Sequence, residues 1–321
     1  MPRVFLGDLS AGYDAAIGEA MGFLSDAAAL RPRLRVAVKP NLTFPVYRQG
    51  VMTSLEAVEA MLRHLKDRGC SVTICESDSG GYNRFSMDEV FRATGLGDLA
   101  NRYGARLVNL SKEASRPVTV RAGLRRLRVP LPRLLVDETD LFITMPVPKV
   151  HANTVLSGAI KNQWGIIQDP GLRLKLHPFF QQAIYAVHQA LPKTIVVMDG
   201  RYGLDLNGPM RGEATELNWL LAGDSVFHAD LVMARLLGVE WRRVAHLRFF
   251  ACREPAAAFD RIEFNTDYRH FQRTQFHLER QWTDLPGWCT FHSRFLAWLG
   301  YESRLAAPLH RLLYCFREPF Y

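Results

Sequence analysis

Cysteine is scarce in this chain: five residues among 321, Cys70, Cys75, Cys252, Cys289 and Cys315, odd in number and scattered, with no CxxC pair. That excludes the thiolate spacing of a structural zinc site or an iron–sulfur cluster and predicts reduced, mostly buried thiols. No apolar run reaches the roughly 18 residues that a membrane-spanning helix needs. The opening MPRVFLGDLSAGYDAAIGEA meets Asp8 and Asp14 too early for a secretion signal, so the expected location is cytoplasmic. GxGxxG, GxxxxGK[ST] and HExxH are all missing, which removes the dinucleotide fingerprint, the Walker loop and the zinc-protease helix. Low-complexity segments and a fixed-period repeat are missing too.

What is present is ordinary for a folded protein, 48% hydrophobic and 22% charged. A length of 321 residues predicts two α/β lobes or one enlarged domain. The formal charge is +8, but the excess is spread along the chain rather than gathered in a Lys-rich arm, so nucleic acid is not an expected partner. Its densest run, RAGLRRLRVPLPR at 121–133, places Arg125, Arg126 and Arg128 nearly side by side. It reads as a solvated strand or loop face, or as a rim that steers an acidic ligand.

Residues 34–38 (LRVAV) form an apolar run stopped by Lys39-Pro40-Asn41, so a strand should deliver Lys39 and Asn41 to a loop. Residues 53–68 carry apolar side chains at helical spacing between a Thr53 or Ser54 N-cap and Gly69. VTICES makes a strand ending at Glu76, SMDEVFRATGLGDLANRYG is helical and broken at its glycines, ARLVNL is a strand, and DLFITMPVP is another. TIVVMDG ends a strand at Asp199 and leads into a long polar, glycine-rich loop, after which residues 226–237 form a helix. This alternation predicts an α/β fold: two lobes built on mostly parallel sheets with flanking helices, the site between them. Ligands of such sheets sit beyond the carboxyl ends of the strands, where Lys39, Asn41, Glu76, Asp78 and Lys149 would cluster. The expected segments are an N-terminal α/β lobe at 1–130, an α/β region with the Lys/His motif and an Asn-Gly-Pro loop at 131–248, and an aromatic-basic extension at 249–321.

The stretch PVPKVHANTVLSGAIKNQWGIIQDPGLRLKLH holds His151, Lys161, Asn162, Lys175 and His177 among small residues that let a ligand approach the backbone. Lys161 stands in the apolar run VLSGAIKNQWGII. It must either reach solvent or sit desolvated, with a lowered pKa suited to a base, nucleophile or anion anchor. Histidine titrates near neutral pH and ligates transition metals, so His151, Lys161 and His177 are the expected catalytic set. Lys39, Asn41, Lys149, Asn162 and Asn207 are the expected substrate contacts. A divalent metal, if used, would draw on His177, Asp199 and Asp78; the cofactor is otherwise open. Glu76-Ser77-Asp78-Ser79-Gly80-Gly81 has the glycines of a phosphate turn, but its carboxylates suit a cation or a hydroxyl-bearing substrate better.

Beyond residue 249 aromatics and arginines interleave, and Phe295, Trp298, Leu305, Leu309 and Leu312 could line one helix, or two interrupted at Pro308. This extension is expected to pack on the core, to form a homodimer contact, or to touch a membrane surface peripherally.

The chain resembles the domain of unknown function 362 family through VKPNLT at 38–43, TSLEAVEAMLRHLKDRGCSVTICESD, KVHANTVLSGAIKNQWG at 149–165, His177, and the MDG, NGPMRG and GDSVFHAD blocks. Many members carry ferredoxin-like cysteine clusters; this chain does not, so no iron–sulfur cluster is expected. A more distant similarity runs to the nickel-pincer lactate racemase, whose His, Lys, His series resembles His151, Lys161 and His177. That resemblance implies a catalytic acid/base at His151, a cofactor anchor at Lys161 and a nickel ligand at His177, in two α/β lobes. ESDSGG stands where the racemase's second catalytic histidine is expected.

The expected function is an enzyme acting on a small acidic metabolite by Lys/His acid/base chemistry, as an isomerase or oxidoreductase, with metal assistance as one route. The alternative is a non-catalytic protein that binds a cofactor or ligand, or assists assembly, with the same pocket.

Overall fold

A computed structural model describes residues 1–79, 85–122, 124–254 and 259–316. Gly80 and Gly81, the glycine half of the expected turn, lie outside the described residues. The strands follow in chain order as β1 (Arg3–Asp8), β2 (Arg35–Pro40), β3 (Ser71–Glu76), β4 (Arg106–Asn109), β5 (Ser115–Ala122), β6 (Arg125–Pro132), β7 (Leu141–Met145), β8 (Lys149–His151), β9 (Val155–Ser157), β10 (Lys193–Asp205), β11 (Glu213–Gly223) and β12 (Glu263–Phe264).

The main sheet is ten-stranded and mixed, in the order β12-β1-β11-β10-β7-β2-β3-β4, with β8 pairing both β10 and β9. From β10 through β7, β2 and β3 to β4 every pairing is parallel, as the alternation of strands and helices predicts. β11 runs antiparallel to both β10 and β1. β7 hydrogen-bonds between β2 and β10, so the strands expected in the first two segments join in one sheet.

Side chains alternate across this sheet as the strand period of two requires. Val36, Val38, Ile143 and Val197 face one apolar layer with Ile17, Met21, Met61 and Leu65 of helices Tyr13–Phe23 and Leu55–Asp67. Ala37, Phe142, Val196 and Met198 face the other, with Phe180, Ile184 and Val187 of helix Phe180–Ala190 and Val232 and Met233 of helix Val226–Leu236. Burial on both faces explains why these strands read as continuous apolar runs. Helix Leu55–Asp67 begins at Ser54, whose hydroxyl accepts from the Ala57 N–H, a cap that stabilises a helix by about 1 kcal/mol.

Three expectations are corrected. The polar loop after Asp199 is instead the hairpin of β10 and β11. Its glycines made the segment read as a loop, but Leu217, Trp219 and Leu221 pack into the core, and Gly200 leaves room for the Trp219 ring, which would lie 2.1 Å from a Cβ there. Pro308 does not interrupt a helix: it lies in the first turn of Ala306–Tyr314, where a missing N–H costs no hydrogen bond, and the breaks come at Ser293 and around Ser303 instead. Among the cysteines Cys75 is buried, whereas Cys252 and Cys315 are exposed and Cys70 and Cys289 partly so.

The arginine-rich run forms the antiparallel pair β5–β6, with Arg126 and Arg128 on its exposed side and Val129 buried. No described helix is long and apolar enough to cross a membrane.

Candidate functional site

Two cavities meet beyond the carboxyl ends of the parallel strands, sharing His151, Lys161, Pro209 and Met210. The inner one, about 210 Å³, is polar: Lys39, Asn41, Glu76, Lys149, Asn162 and Arg173 line it. The outer one, about 600 Å³, has His151, Lys161 and His177 at one end and apolar side chains of the C-terminal helices along its length.

In the inner chamber Lys39, at the end of β2, is buried and its Nζ lies 2.7 Å from Glu76 Oε2, at the end of β3. The same ammonium donates to Asn162 Oδ1 at 3.2 Å, and Asn162 Nδ2 donates to Thr144 Oγ1 at 2.8 Å. Lys149 Nζ donates to Asn41 Oδ1 and to the Val51 carbonyl, each at 2.5 Å. Burial, then the neighbouring Lys39 charge, brings the Lys149 pKa down to about 7. Arg173 reaches the Ile167 carbonyl at 2.7 Å, Ser77 Oγ at 2.6 Å and the Asp78 carbonyl at 2.8 Å, and burial lowers its pKa to about 10. Cations outnumber carboxylates here, since Glu76 is the chamber's acidic lining residue among the described residues.

Lys161 lies on the short helix Ala159–Asn162, and its accessible part is cavity wall. Desolvation, with Lys149 nearby, pushes its pKa well below the ordinary lysine range. The helix is held by Asp230 of helix Val226–Leu236, whose carboxylate accepts from the backbone N–H groups of Ala159 at 2.6 Å and Ile160 at 2.9 Å. Close approach requires Gly158, because a Cβ there would stand 2.3 Å from Asp230 Oδ1. Burial raises the Asp230 pKa to about 7 against the lowering effect of those two donors.

His151 ends β8 and is buried. Its Nδ1 accepts the Asn153 N–H at 3.0 Å, which places the proton of the neutral ring on Nε2. Burial first, then Lys161 and Lys149, hold its pKa well below the ordinary histidine range. His177 stacks on Trp164 at a centroid distance of 6.1 Å and tilts against Phe291 at 4.8 Å. Burial, with Lys161 nearby, lowers its pKa to about 3.

The other expected residues take separate places. Asn207 lines the outer cavity, and its amide donates to Asp284 Oδ2 at 2.6 Å and to the Glu279 carbonyl at 2.9 Å, so it fastens the extension to the site. Asp199 lies elsewhere, accepting from Tyr13 Oη at 2.5 Å and the Ser54 N–H at 2.8 Å. Asp78 accepts from the Met87 N–H at 2.7 Å and Asn109 Nδ2 at 3.0 Å. Lys175 is exposed and pairs with Glu302 at 3.5 Å. Arg126 and Arg128 line neither cavity.

Among the described residues no three His, Cys, Asp or Glu side chains converge as a metal site would require, and His177, Asp78 and Asp199 have separate partners and neighbours. This donor set does not fit a divalent ion held by side chains. Glu76, in the ESDSGG stretch, is bound to Lys39.

Three participants had escaped sequence reasoning. Arg173 lies within the motif segment, where no local pattern distinguishes it from Lys175. Asp230 had a signal, an acid within the apolar helix VFHADLVMARL. His246, on helix Ala245–Ala251, had none: it packs edge-on against Phe180, and burial with the Lys161 charge lowers its pKa to about 3.

Gly165 faces the Lys39–Glu76 pair, and a Cβ there would lie 2.9 Å from Lys39 Nζ and 3.0 Å from Glu76 Oε1. Gly165→Ala is therefore expected to lower the unfolding free energy by about 1–3 kcal/mol through overpacking. Gly97→Ala, in helix Leu96–Tyr103 where nothing lies within 4 Å, should match wild type or gain up to about 1 kcal/mol, and urea titration reads both variants.

A thylakoid-associated protein of Synechocystis sp. is 26% identical over 111 residues, 32% of this chain; the chain spans about a third, 34%, of that relative's length. Among solved structures, a Thermotoga maritima protein aligns at TM-score 0.36 and 12% identity over 63% of this chain and 53% of that one. A SAM-dependent methyltransferase from Thiobacillus denitrificans, in complex with S-adenosyl-L-homocysteine, aligns at TM-score 0.25 and 12% identity over 94% of this chain and 83% of that one. The family described as domain of unknown function (DUF362) matches residues 36–235, more than half of the sequence and the part that builds the inner chamber, and the chain belongs to that family.

Proposed function

We propose that this chain is an enzyme that binds the anionic group of its substrate in the inner chamber and moves a proton at the adjoining carbon. The observation that carries this reading is the small polar chamber itself, in which Lys39 takes the acidic lining residue Glu76 as its partner and Lys149 and Arg173 are left without a carboxylate, with Lys161 as a further basic group at its edge. Such a chamber favours an anion, because burying unpaired positive groups costs free energy that an arriving carboxylate recovers.

Lys149 and Arg173 are the anchors of the anion. Lys161, neutral because it is desolvated, is the base that takes a proton from the carbon next to the carboxylate or carbonyl. The Nε2–H of His151 donates a hydrogen bond to the oxygen on which negative charge develops, as a neutral imidazole can. The Lys161 ammonium then returns the proton to the same or a neighbouring atom. The sum is an isomerisation that consumes no co-reactant.

The test is calorimetric titration with short 2-hydroxy- and 2-oxocarboxylates near pH 7.5 in buffers of different ionisation enthalpy. An anion entering beside neutral Lys161 should raise that amine's pKa, so binding should take up protons, and Lys161→Met should weaken it by about tenfold or more. Binding with no proton uptake, and unchanged in Lys161→Met, would overturn the assignment. Incorporation of deuterium from heavy water at the carbon beside the carboxylate, lost in His151→Phe, would establish the turnover step.

A further inference from the structure

The outer cavity differs in chemistry from the inner one. Its walls come from helices Leu285–His292, Arg294–Tyr301 and Ala306–Tyr314, with Leu296, Leu299, Leu309, Leu312 and Leu313 facing the space. At about 600 Å³ it falls within the roughly 300–1,000 Å³ of ligand pockets, and it is far larger than a short hydroxy acid requires. The roof is fastened close to the polar end: Asn207 holds Asp284, Arg280 Nε donates to the Ala152 carbonyl at 2.7 Å, and Phe291 packs on His177. Away from that end the apolar lining opens outward. Trp282, Leu312 and Phe316 line the cavity and are still 63%, 59% and 60% exposed, large apolar groups left in contact with water.

Apolar walls that lead from an exposed rim to a cationic chamber match one kind of ligand. We propose that the outer cavity holds the hydrocarbon chain of an amphipathic substrate whose acidic head enters the inner chamber at His151 and Lys161. The proposal rests on the anion-binding reading above for the head and on the outer cavity for the chain. The hydrophobic effect supplies the affinity along the chain, and the shared residues His151, Lys161, Pro209 and Met210 mark where chain meets head. A single chain also accounts for the exposed leucines of helix Ala306–Tyr314, because occupation would cover side chains that otherwise face water.

The experiment is isothermal titration of the full chain with straight-chain saturated carboxylates from about four to fourteen carbons, kept below micelle-forming concentrations, alongside the matched alcohols. The Kd should fall by about threefold for each added methylene until the cavity is filled, at one ligand per chain. Butyrate should compete with dodecanoate because both use the same head site. The double variant Leu309→Ser/Leu312→Ser alters side chains that are 41% and 59% exposed and so leaves the core intact. It should lose the gain with chain length while keeping the wild-type affinity for butyrate. A Kd independent of chain length would overturn the chain site and leave the anion chamber standing. Dodecanoate that binds several molecules per chain, or that butyrate cannot displace, would also overturn it, as adherence to the exposed apolar surface. Equal binding of alcohols and acids would keep the chain site while overturning the anionic head.

Discussion

Replacing Glu76 with glutamine should lower the unfolding free energy by about 3–5 kcal/mol, the cost of leaving one member of a buried ion pair without its counter-charge. The side chains of Lys39 and Glu76 are 1% and 4% exposed and sit in a chamber that already holds Lys149, Lys161 and Arg173. Glu76 also receives the Ser77 N–H on Oε1 at 2.9 Å, while Oε2 receives Lys39, and a glutamine amide keeps only one oxygen to accept with. The cost comes from the broken pair rather than from a large net stabilisation by the intact one. The double variant Lys39→Met/Glu76→Leu should therefore recover most of the lost stability. Urea titration monitored by circular dichroism checks both. A single variant within about 1 kcal/mol of wild type would show that the chamber's cations tolerate the missing carboxylate, and would weaken the case for an anion site with it.

Stability should fall steeply on acidification from pH 6.5 towards 3. Burial holds His177 and His246 at about 3 and His151 well below its ordinary value, whereas in the unfolded chain all three protonate near 6.5. Across that window the unfolded state binds the extra protons, so unfolding is favoured as the pH drops, by about 1.4 kcal/mol per pH unit for each histidine. Asp230 acts in the opposite sense. Its folded pKa is raised to about 7, so the folded state takes a proton first and acidification towards 3.8 is stabilising at that one group. The histidines outnumber it, and the net slope is destabilising. His177→Phe/His246→Phe, which keeps the aromatic contacts with Trp164 and Phe180, should flatten the slope by the contribution of those two groups. Thermal melts at half-unit pH intervals read the result, and parallel slopes in wild type and variant would remove the histidines as its source.

The two behaviours have one physical origin, the concentration of ionisable groups in dry surroundings where the sheet's strands end. A carboxylate ligand that satisfied the cations should raise the melting temperature, and the rise should shrink as the pH climbs above about 7, where Lys149 loses its charge.

Local patterns in the sequence determined the strands that stop at Lys39 and Glu76, the helix capped by Ser54, and the parallel half of the sheet, because periodicity, caps and breakers act within a few residues. The clustering of Lys39, Asn41, Glu76 and Lys149 was also legible, since parallel strands bring their carboxyl ends to one edge, but Asp78, expected with them, turns its carboxylate to Met87 and Asn109 instead. Tertiary structure alone decided the rest. Asp199 looked like Lys39, a polar residue at a strand's carboxyl side, yet Tyr13, 186 positions away, takes its carboxylate and removes it from the site. The strand Glu213–Gly223 was hidden because its glycine- and polar-rich approach resembles a loop and its second partner, β1, lies at the far end of the chain. Most of all, the extension beyond residue 249 showed only amphipathic helices. Which surface they cover depends on contacts such as Asn207 to Asp284 and His177 to Phe291, made between residues far apart in sequence, and those contacts turn an aromatic-rich tail into the roof of a cavity.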